Sequence, residues 1–135
     1  MSFIDVNVVE EQTVPPPFHR RLSIILAPDL DDTVKGFTFL ISTLEPVDGK
    51  TPMHDHGNVG ELMYFISGKG KAILEDGTEY MIKPNTVLWA PPGVKHQTVN
   101  LSDEPLRIAC VFIPAVNADY IQKSIQDSMK ATQQK

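Results

Sequence analysis

Apolar and polar residues alternate along most of this chain in short runs, and each run is closed by a proline, a glycine or acidic residues. Alternation with a period of two is typical of β-strands that bury one face and expose the other. The pattern predicts eight strands, at residues 22–26, 37–44, 61–67, 71–75, 79–82, 86–90, 97–100 and 106–113. Because no helical period separates them, an all-β antiparallel sandwich or barrel is indicated.

The most specific turn signal is Asp76-Gly77, which lies between two extended runs. Aspartate followed by glycine supplies the positive φ angles that a two-residue hairpin turn requires. Residues Ala72–Leu74 are therefore expected to pair with Glu79–Ile82.

The N-terminal residues predict a separate arm. Phe3–Val9 alternate apolar and polar side chains, which indicates a short strand at a sheet edge. Pro15–Pro17 favour a polyproline conformation and are expected to separate this arm, residues 1–14, from a barrel at 18–114. Two interpretations stay open: the arm pairs with its own sheet edge, or it is exchanged with a second subunit.

The C-terminal residues change the periodicity. Asn117 can cap a helix, at residues 117–131, in which Ile121, Ile125 and Met129 recur every four residues. This apolar stripe is expected to pack on the outside of the barrel or across a dimer contact. Residues 131–135 are expected to fray.

Three of the four histidines combine with one glutamate in a pattern that suits metal ligands. His54 and His56 can serve one metal if the chain is extended there, because alternate side chains of a strand share a face. Glu61 begins the next strand, and His96 follows a Pro-Pro-Gly turn. The remaining histidine, His19, is expected to face solvent at the start of a strand.

Three neutral imidazoles and one carboxylate make a borderline donor set. This set suits one divalent transition metal per chain, Fe, Mn, Ni, Zn, Co or Cu, and it leaves one or two coordination positions for water or substrate. The competing interpretation is that these residues are polar side chains scattered over a sheet.

The first of these segments resembles a motif of the cupin superfamily, G-x5-H-x-H-x3-4-E-x6-G. It runs from Gly49 through His54, His56 and Glu61 to Gly68. Gly49 stands one residue closer to His54 than the motif prescribes.

The second segment, Asn85 to Asn100, resembles the second cupin motif, G-x5-P-x-G-x2-H-x3-N, with Pro91, Gly93 and His96 in place. Asn85 occupies the position of the opening glycine, and asparagine tolerates positive φ better than other side chains do. The resemblance is to a small single-domain protein of the cupin 2 conserved barrel type. It implies a double-stranded β-helix, or jelly roll, with metal ligands at His54, His56, Glu61 and His96.

Strand alternation also predicts the pocket. If Glu61 points inward, Met63 and Phe65 do so as well, and Thr98 and Asn100 share the face of His96. Trp89 is expected in the sandwich core, with a pocket position as the alternative. Arg107 would reach an anionic substrate only if its strand turned that face inward, and surface exposure is the expected outcome.

Composition narrows the class of protein. A chain of 135 residues corresponds to one domain, and its formal net charge of −5 with scattered basic residues favours neither nucleic acid nor an anionic membrane. The single Cys110 lies in an apolar run and is expected to be a buried, reduced thiol. No stretch resembles a signal peptide or a membrane span, so a cytoplasmic location is expected.

The functional expectation is a metalloenzyme that acts on a small oxygenated metabolite, of dioxygenase, isomerase or lyase/decarboxylase type. No catalytic side chain is identified, because the chemistry would take place at a metal-bound water or substrate. The alternative is a non-catalytic module that binds a sugar or another effector. Single-domain proteins with this resemblance commonly pair, so a homodimer is expected.

Overall fold

The structure is a computed structural model, which describes residues 1–133. A 3-10 turn at Val6–Val8 precedes nine β-strands and one α-helix. The strands are β1 (Gln12–Val14), β2 (Arg20–Leu26), β3 (Thr38–Leu44), β4 (Gly60–Ser67), β5 (Gly70–Leu74), β6 (Glu79–Ile82), β7 (Thr86–Ala90), β8 (His96–Asn100) and β9 (Leu106–Ile113). The helix, α1, spans Ala118–Gln133.

The strands form two antiparallel sheets. The larger sheet has six strands in the order β1-β2-β3-β9-β4-β7, and the smaller has three in the order β6-β5-β8. The predicted hairpin is confirmed, since Ala72 lies opposite Tyr80 and Ile73 opposite Glu79. The predicted fold class, a double-stranded β-helix with a C-terminal helix, is also confirmed.

The core lies between the inner faces of the two sheets. Met63, Phe65, Ile108, Cys110 and Phe112 are buried on β4 and β9, while the residues between them are half-buried or exposed. This period-two burial confirms the inward orientation that alternation predicted for β4.

The predicted N-terminal strand is wrong. Residues Val6–Val8 form a 3-10 turn, because the Asp5 carboxylate accepts a hydrogen bond from the Asn7 backbone N–H and closes the chain locally. The first strand is instead Gln12–Val14. It pairs with the beginning of β2, where Val14 lies opposite Arg20. Pro15–Pro17 therefore lie in the connection of a β-hairpin and do not detach an arm from the barrel.

Helix α1 packs against its own barrel. Ile121 and Ile125 are buried in the core cluster and Met129 packs against it, so the stripe that sequence periodicity predicted covers the barrel. Residues 131–135 were expected to fray, and two of them, 134 and 135, lie outside the described residues. Within residues 1–133, no helix is both long and apolar enough to cross a bilayer.

A distant carboxylate fixes the start of α1. The Asp29 side chain accepts hydrogen bonds from the backbone N–H groups of Ala118, at 2.8 Å, and Asp119, at 3.3 Å. It thereby satisfies helix N–H groups that have no partner within the helix, the role that the sequence suggested for Asn117. The turn between β2 and β3 is thus tied to the helix across the fold.

Both departures from the cupin motifs keep the required backbone geometry. Asn85 has φ of 66°, in the left-handed region that the motif's glycine would occupy. Gly49 has no room for a side chain, because a Cβ there would overlap the backbone of Glu45 and His19. Asn85 thus fits the turn before β7, and Gly49 allows the close approach of the chain to Glu45 and His19.

Candidate metal centre

Three segments of the barrel bring the predicted ligands together. The loop before β4 carries His54 and His56, and its backbone pairs with β8. The His54 N–H donates to the His96 carbonyl at 3.0 Å, and the His96 N–H donates to the His54 carbonyl at 2.9 Å. Glu61 is the second residue of β4, and it lies opposite Ala90 on β7. The sequence-distant histidine is therefore held beside the loop by backbone hydrogen bonds.

The four side chains converge on one point. One ligand atom from each of His54, His56, Glu61 and His96 lies within 4.8 Å of all the others. The Glu61 Oε1 atom is 3.0 Å from the His96 Nε2 atom and 3.3 Å from the His56 Nε2 atom. Two bonds of about 2.1 Å to a shared cation span about 4.2 Å, so the cluster needs only a small contraction to bind a transition metal.

Backbone carbonyls set the orientation of two of the rings. The His54 Nδ1 atom lies 2.6 Å from the Pro52 carbonyl oxygen, and the His96 Nδ1 atom lies 3.0 Å from that of Val94. A carbonyl oxygen only accepts, so each Nδ1 carries the proton and donates it. In the neutral rings the Nε2 lone pairs are thus left to bind a metal, the arrangement that orients histidine ligands in metal sites.

The cluster is incomplete without a positive charge. The neutral His96 Nε2 atom faces the Glu61 carboxylate, so two hydrogen-bond acceptors oppose each other at 3.0 Å. The buried His56 Nε2 atom has no hydrogen-bond partner among the described residues. Either a proton or a metal cation resolves both conflicts, and the borderline N₃O donor set is suited to a divalent transition metal.

Burial and charge shift the pKa values within the cluster. Burial alone would raise the pKa of the Glu61 carboxyl, but the adjacent His56 and His96 imidazoles, which stabilise the carboxylate when they carry a proton, lower it well below its ordinary value. Burial disfavours a charge on His96 too, yet Glu61 outweighs it and raises the pKa of that imidazole. Desolvation, followed by repulsion from His56, lowers the pKa of His54 to about 4.

Metal affinity is expected to fall as the pH drops, because protons and metal compete for the same Nε2 atoms. The raised pKa of His96 means that competition begins above the ordinary imidazole value of about 6.5. His54 contributes little until the pH approaches 4. With one proton competing for one imidazole, we expect metal affinity to fall at first by about tenfold for each pH unit. Chelator-competition titrations from pH 8 to 5 measure this fall. Full metal occupancy at about pH 4.5 would contradict a three-histidine site.

The cluster forms part of the wall of a cavity of about 330 Å³. The inner face of the larger sheet supplies a mostly apolar floor that includes Leu22, Leu40 and Ile108. Helix α1 covers the other side with Tyr120 and Ile121. The site is thus a cluster of four side chains that could hold a metal, at the edge of an apolar chamber large enough for a small metabolite.

Of the four predicted pocket residues, only Met63 lines this cavity. Phe65 and Thr98 point inward as predicted, but both are almost fully buried in the packed interior and have no surface on the chamber. The Asn100 side chain is occupied by backbone hydrogen bonds at the far end of β8. Alternation correctly predicted which face of the strand each side chain is on. It does not predict where along the barrel axis the side chain lies, and therefore whether it reaches the cavity.

The sequence also predicted the positions of three other residues, and the structure does not agree with all of these predictions. Cys110 is buried as predicted, and it lines the cavity, where desolvation raises the pKa of its thiol. Trp89 is 47% exposed and so belongs to neither the core nor the pocket, because it lies opposite Leu62 on the outer face of the sheet. Arg107 lies on the outer face of β9, in agreement with the expected surface position.

Arg20 is a cavity residue that the sequence interpretation missed. It shares the inner face of β2 with Leu22, and both line the chamber. The signal was available, because Arg20 precedes the inward-facing Leu22 by two residues. It was overridden by the expectation that adjacent basic residues, Arg20 and Arg21, both lie in solvent.

Comparison with known proteins identifies the family. Residues 40–112 match the model of the Cupin domain. The chain is 31% identical over 75 residues to an uncharacterized protein of Methanocaldococcus jannaschii, covering 56% of this chain and 59% of that protein. It is 33% identical over 81 residues to an L-ectoine synthase of Aliivibrio fischeri, covering 60% and 62% respectively. The matches thus span less than two thirds of the length of these relatives.

A solved structure shares the fold. Ectoine synthase from P. lautus superimposes with a TM-score of 0.74 at 18% identity, covering 92% of this chain and 86% of that one. The family match, residues 40–112, spans more than half of the 135-residue chain and contains all four clustered side chains. This protein belongs to the cupin family.

Proposed function

We propose that this protein is a metal-dependent enzyme that acts on a small oxygenated metabolite. The observation that carries the proposal is the convergence of His54, His56, Glu61 and His96 on one point at the wall of an apolar cavity. A purely structural metal site is normally closed by its protein ligands, whereas a catalytic site keeps a position accessible to substrate.

The residues of the site divide the work. His54, His56, Glu61 and His96 would hold the metal, which when bound supplies Lewis-acid or redox chemistry at the cavity. The carbonyls of Pro52 and Val94 keep two imidazoles in the ligating orientation. Phe112 packs against the His56 ring, with centroids 4.6 Å apart, and limits the access of water to the cluster.

The cavity supports a reaction centred on the metal. Apart from the ligands, the cavity side chains near the cluster that could accept a proton are Asp55, whose carboxylate accepts the Gly57 backbone N–H at 2.7 Å, and the Cys110 thiol. Neither is placed as an obvious catalytic base. This favours dioxygenase, isomerase or lyase chemistry, and similarity to a protein named L-ectoine synthase supports an enzymatic role.

The direct experiment loads the protein with Fe, Mn, Ni or Zn in turn and measures its activity on sugars, diketones, phenols and organic acids. We expect metal-dependent turnover of one of these classes and none in the apoprotein. Tight ligand binding without turnover for every metal would instead favour the non-catalytic binding module.

We also propose that the chain forms a homodimer through an outer apolar patch, defined as Leu62, Tyr64, Val87, Trp89 and Ile113. These side chains share the outer face of β4, β7 and β9, and β7 is an edge strand of the larger sheet. Exposed apolar residues beside an unpaired edge favour pairing with a second copy.

Light scattering at micromolar concentration is expected to give a dimer mass, and the substitution Trp89→Glu is expected to shift it to the monomer. Tyr80→Glu provides a matched control, because Tyr80 is similarly exposed, at 50%, on the smaller sheet. A monomeric wild-type protein would contradict the proposal.

A further inference from the structure

Buried polar atoms without hydrogen-bond partners concentrate in one place. Among the described residues there are four such atoms: Arg20 Nε, Arg21 Nε, Ser42 Oγ and His56 Nε2. Arg21 nevertheless has two carboxylates as counter-charges, Glu11 at 2.9 Å and Glu45 at 2.5 Å. The other three residues all line the metal-side cavity. His56 is explained by the metal centre, which leaves Arg20 and Ser42 to be explained.

Arg20 is a cation without a carboxylate partner. Within residues 1–133, no ion pair joins its guanidinium to an acidic side chain, in contrast to the adjacent Arg21. Burial lowers the pKa of the guanidinium, and the charge of Glu61 acts on it in the opposite direction. Arginine nevertheless remains protonated in proteins. A buried cation without a direct carboxylate partner is costly, so an anion bound in the cavity would stabilise this position.

Ser42 extends the same polar surface. Arg20 lies opposite Leu44 and Leu22 lies opposite Ser42, so Ser42 occupies the next inward position on the neighbouring strand, diagonal to Arg20. Its hydroxyl can donate one hydrogen bond next to the planar fork of the guanidinium. This combination of one fixed cation and one hydroxyl donor suits the two oxygens of a carboxylate.

The metal-ligand cluster lies at a different level of the same chamber. Ser42 is opposite Ile108, whereas Glu61 is opposite Phe112, which is four residues further along β9. Four residues of strand correspond to about 13 Å between backbone levels, and the long arginine side chain shortens the gap that a ligand must span. Leu22, Leu40 and Met63 make the intervening wall apolar.

We propose that Arg20 and Ser42 bind the carboxylate of the substrate, so that the substrate is a small organic acid with a second oxygen group directed at the metal-ligand cluster. This inference rests on the proposed enzymatic function and specifies its substrate class. A monocarboxylate end fits better than a phosphate, because a single arginine and one hydroxyl offer few donors for a dianion. Two other acidic residues line the cavity: Asp55 is held by the Gly57 N–H, and Asp127 is exposed on α1.

The test is direct binding, measured by calorimetry on the metal-loaded full chain and on the metal-free full chain. The probes are succinate, malate and 2-oxoglutarate, with succinamide as the uncharged counterpart. We expect at least one acid to bind at least about tenfold more tightly than succinamide, because only the acid pairs with the buried cation.

The variant Arg20→Gln is expected to lose at least about 30-fold in affinity for the acid while keeping its metal content. Arg107→Gln removes the same charge from the outer face of the sheet and is expected to leave binding unchanged. If Arg20→Gln does not fold, Arg20→Lys and Ser42→Ala carry the test, since each keeps part of the site and should weaken binding by a smaller factor.

The outcomes separate this inference from the proposed function. Arg20-dependent binding of the acid without turnover for any metal supports the carboxylate site and contradicts the enzyme. Metal-dependent turnover of a neutral substrate that is unaffected by Arg20→Gln supports the enzyme and overturns the carboxylate site. The inference is also overturned if no acid binds the metal-loaded protein at millimolar concentration, or if the Arg20 variants bind it as tightly as the wild type does.

Discussion

Replacing His56 with alanine is expected to reduce metal affinity at least about 100-fold while leaving the barrel folded. Removing a group that only hydrogen-bonds to a metal ligand already costs about 10–100-fold, so the loss of a ligand should cost no less. The fold should tolerate the change, because the His56 Nε2 atom makes no hydrogen bond within the described protein. The metal-free variant should therefore unfold at nearly the same denaturant concentration as the metal-free wild type.

His19→Ala is the matched control for this variant. His19 lies outside the cluster, where its Nδ1 atom is 2.8 Å from the Asp48 carboxylate and its side chain is 45% exposed. Elemental analysis after purification without chelators should find about one metal per chain in the control and far less in His56→Ala. Equal metal content in the two variants would contradict the proposed site.

The second large effect is expected at Asn100, where alanine should lower the free energy of unfolding by about 3–5 kcal/mol. The two N–H groups of the buried amide serve three backbone carbonyls, those of Leu44, Glu45 and Glu104, at 3.0, 3.1 and 2.7 Å, so that one N–H is shared between two of them. The amide oxygen accepts the Ser102 backbone N–H at 2.8 Å. Alanine would remove all of these bonds at once, and it would leave the carbonyl of the fully buried Leu44 without the amide donor.

Urea unfolding of metal-free protein measures this effect without a contribution from metal binding. Asn100→Asp keeps the size and the oxygen that accepts from Ser102, but it directs a carboxylate at three carbonyl oxygens, so it should destabilise at least as much as alanine. Asn58→Ala is the control, because Asn58 is exposed. A change below about 1 kcal/mol for both Asn100 variants would show that the network contributes little to stability.

Periodicity and turn chemistry account for the features that the sequence predicted well. Strands β2 to β9 follow from alternation interrupted by glycine and proline, and Asp76-Gly77 set the β5–β6 register. The clustering of His54 with His96 followed from motif spacing. These signals are local, or they are repeated along the chain, so they do not depend on knowing how distant elements pack.

The wrong predictions concern features that do depend on how distant elements pack. Phe3–Val9 alternates but does not form a strand, whereas Gln12–Val14 shows no alternation of apolar and polar residues and is a strand because it pairs with β2. The cavity residues depend on where α1 closes the barrel, which the contact of Asp29 with Ala118, 89 residues away, helps to fix. Arg20 was missed because a rule about single residues, that charges avoid burial, fails where a ligand is the missing partner.

The docking of α1 over the chamber has a consequence for how selectivity can diversify. All four proposed metal ligands belong to the barrel and its loops, whereas Tyr120, Ile121, Ser124 and Ile125 enter the same cavity from the helix. Substitutions in the helix can therefore reshape the space for a substrate without disturbing the metal ligands. A library confined to these four positions would sample new substrate profiles on an unchanged reactive centre, so directed evolution of this scaffold should begin at the helix.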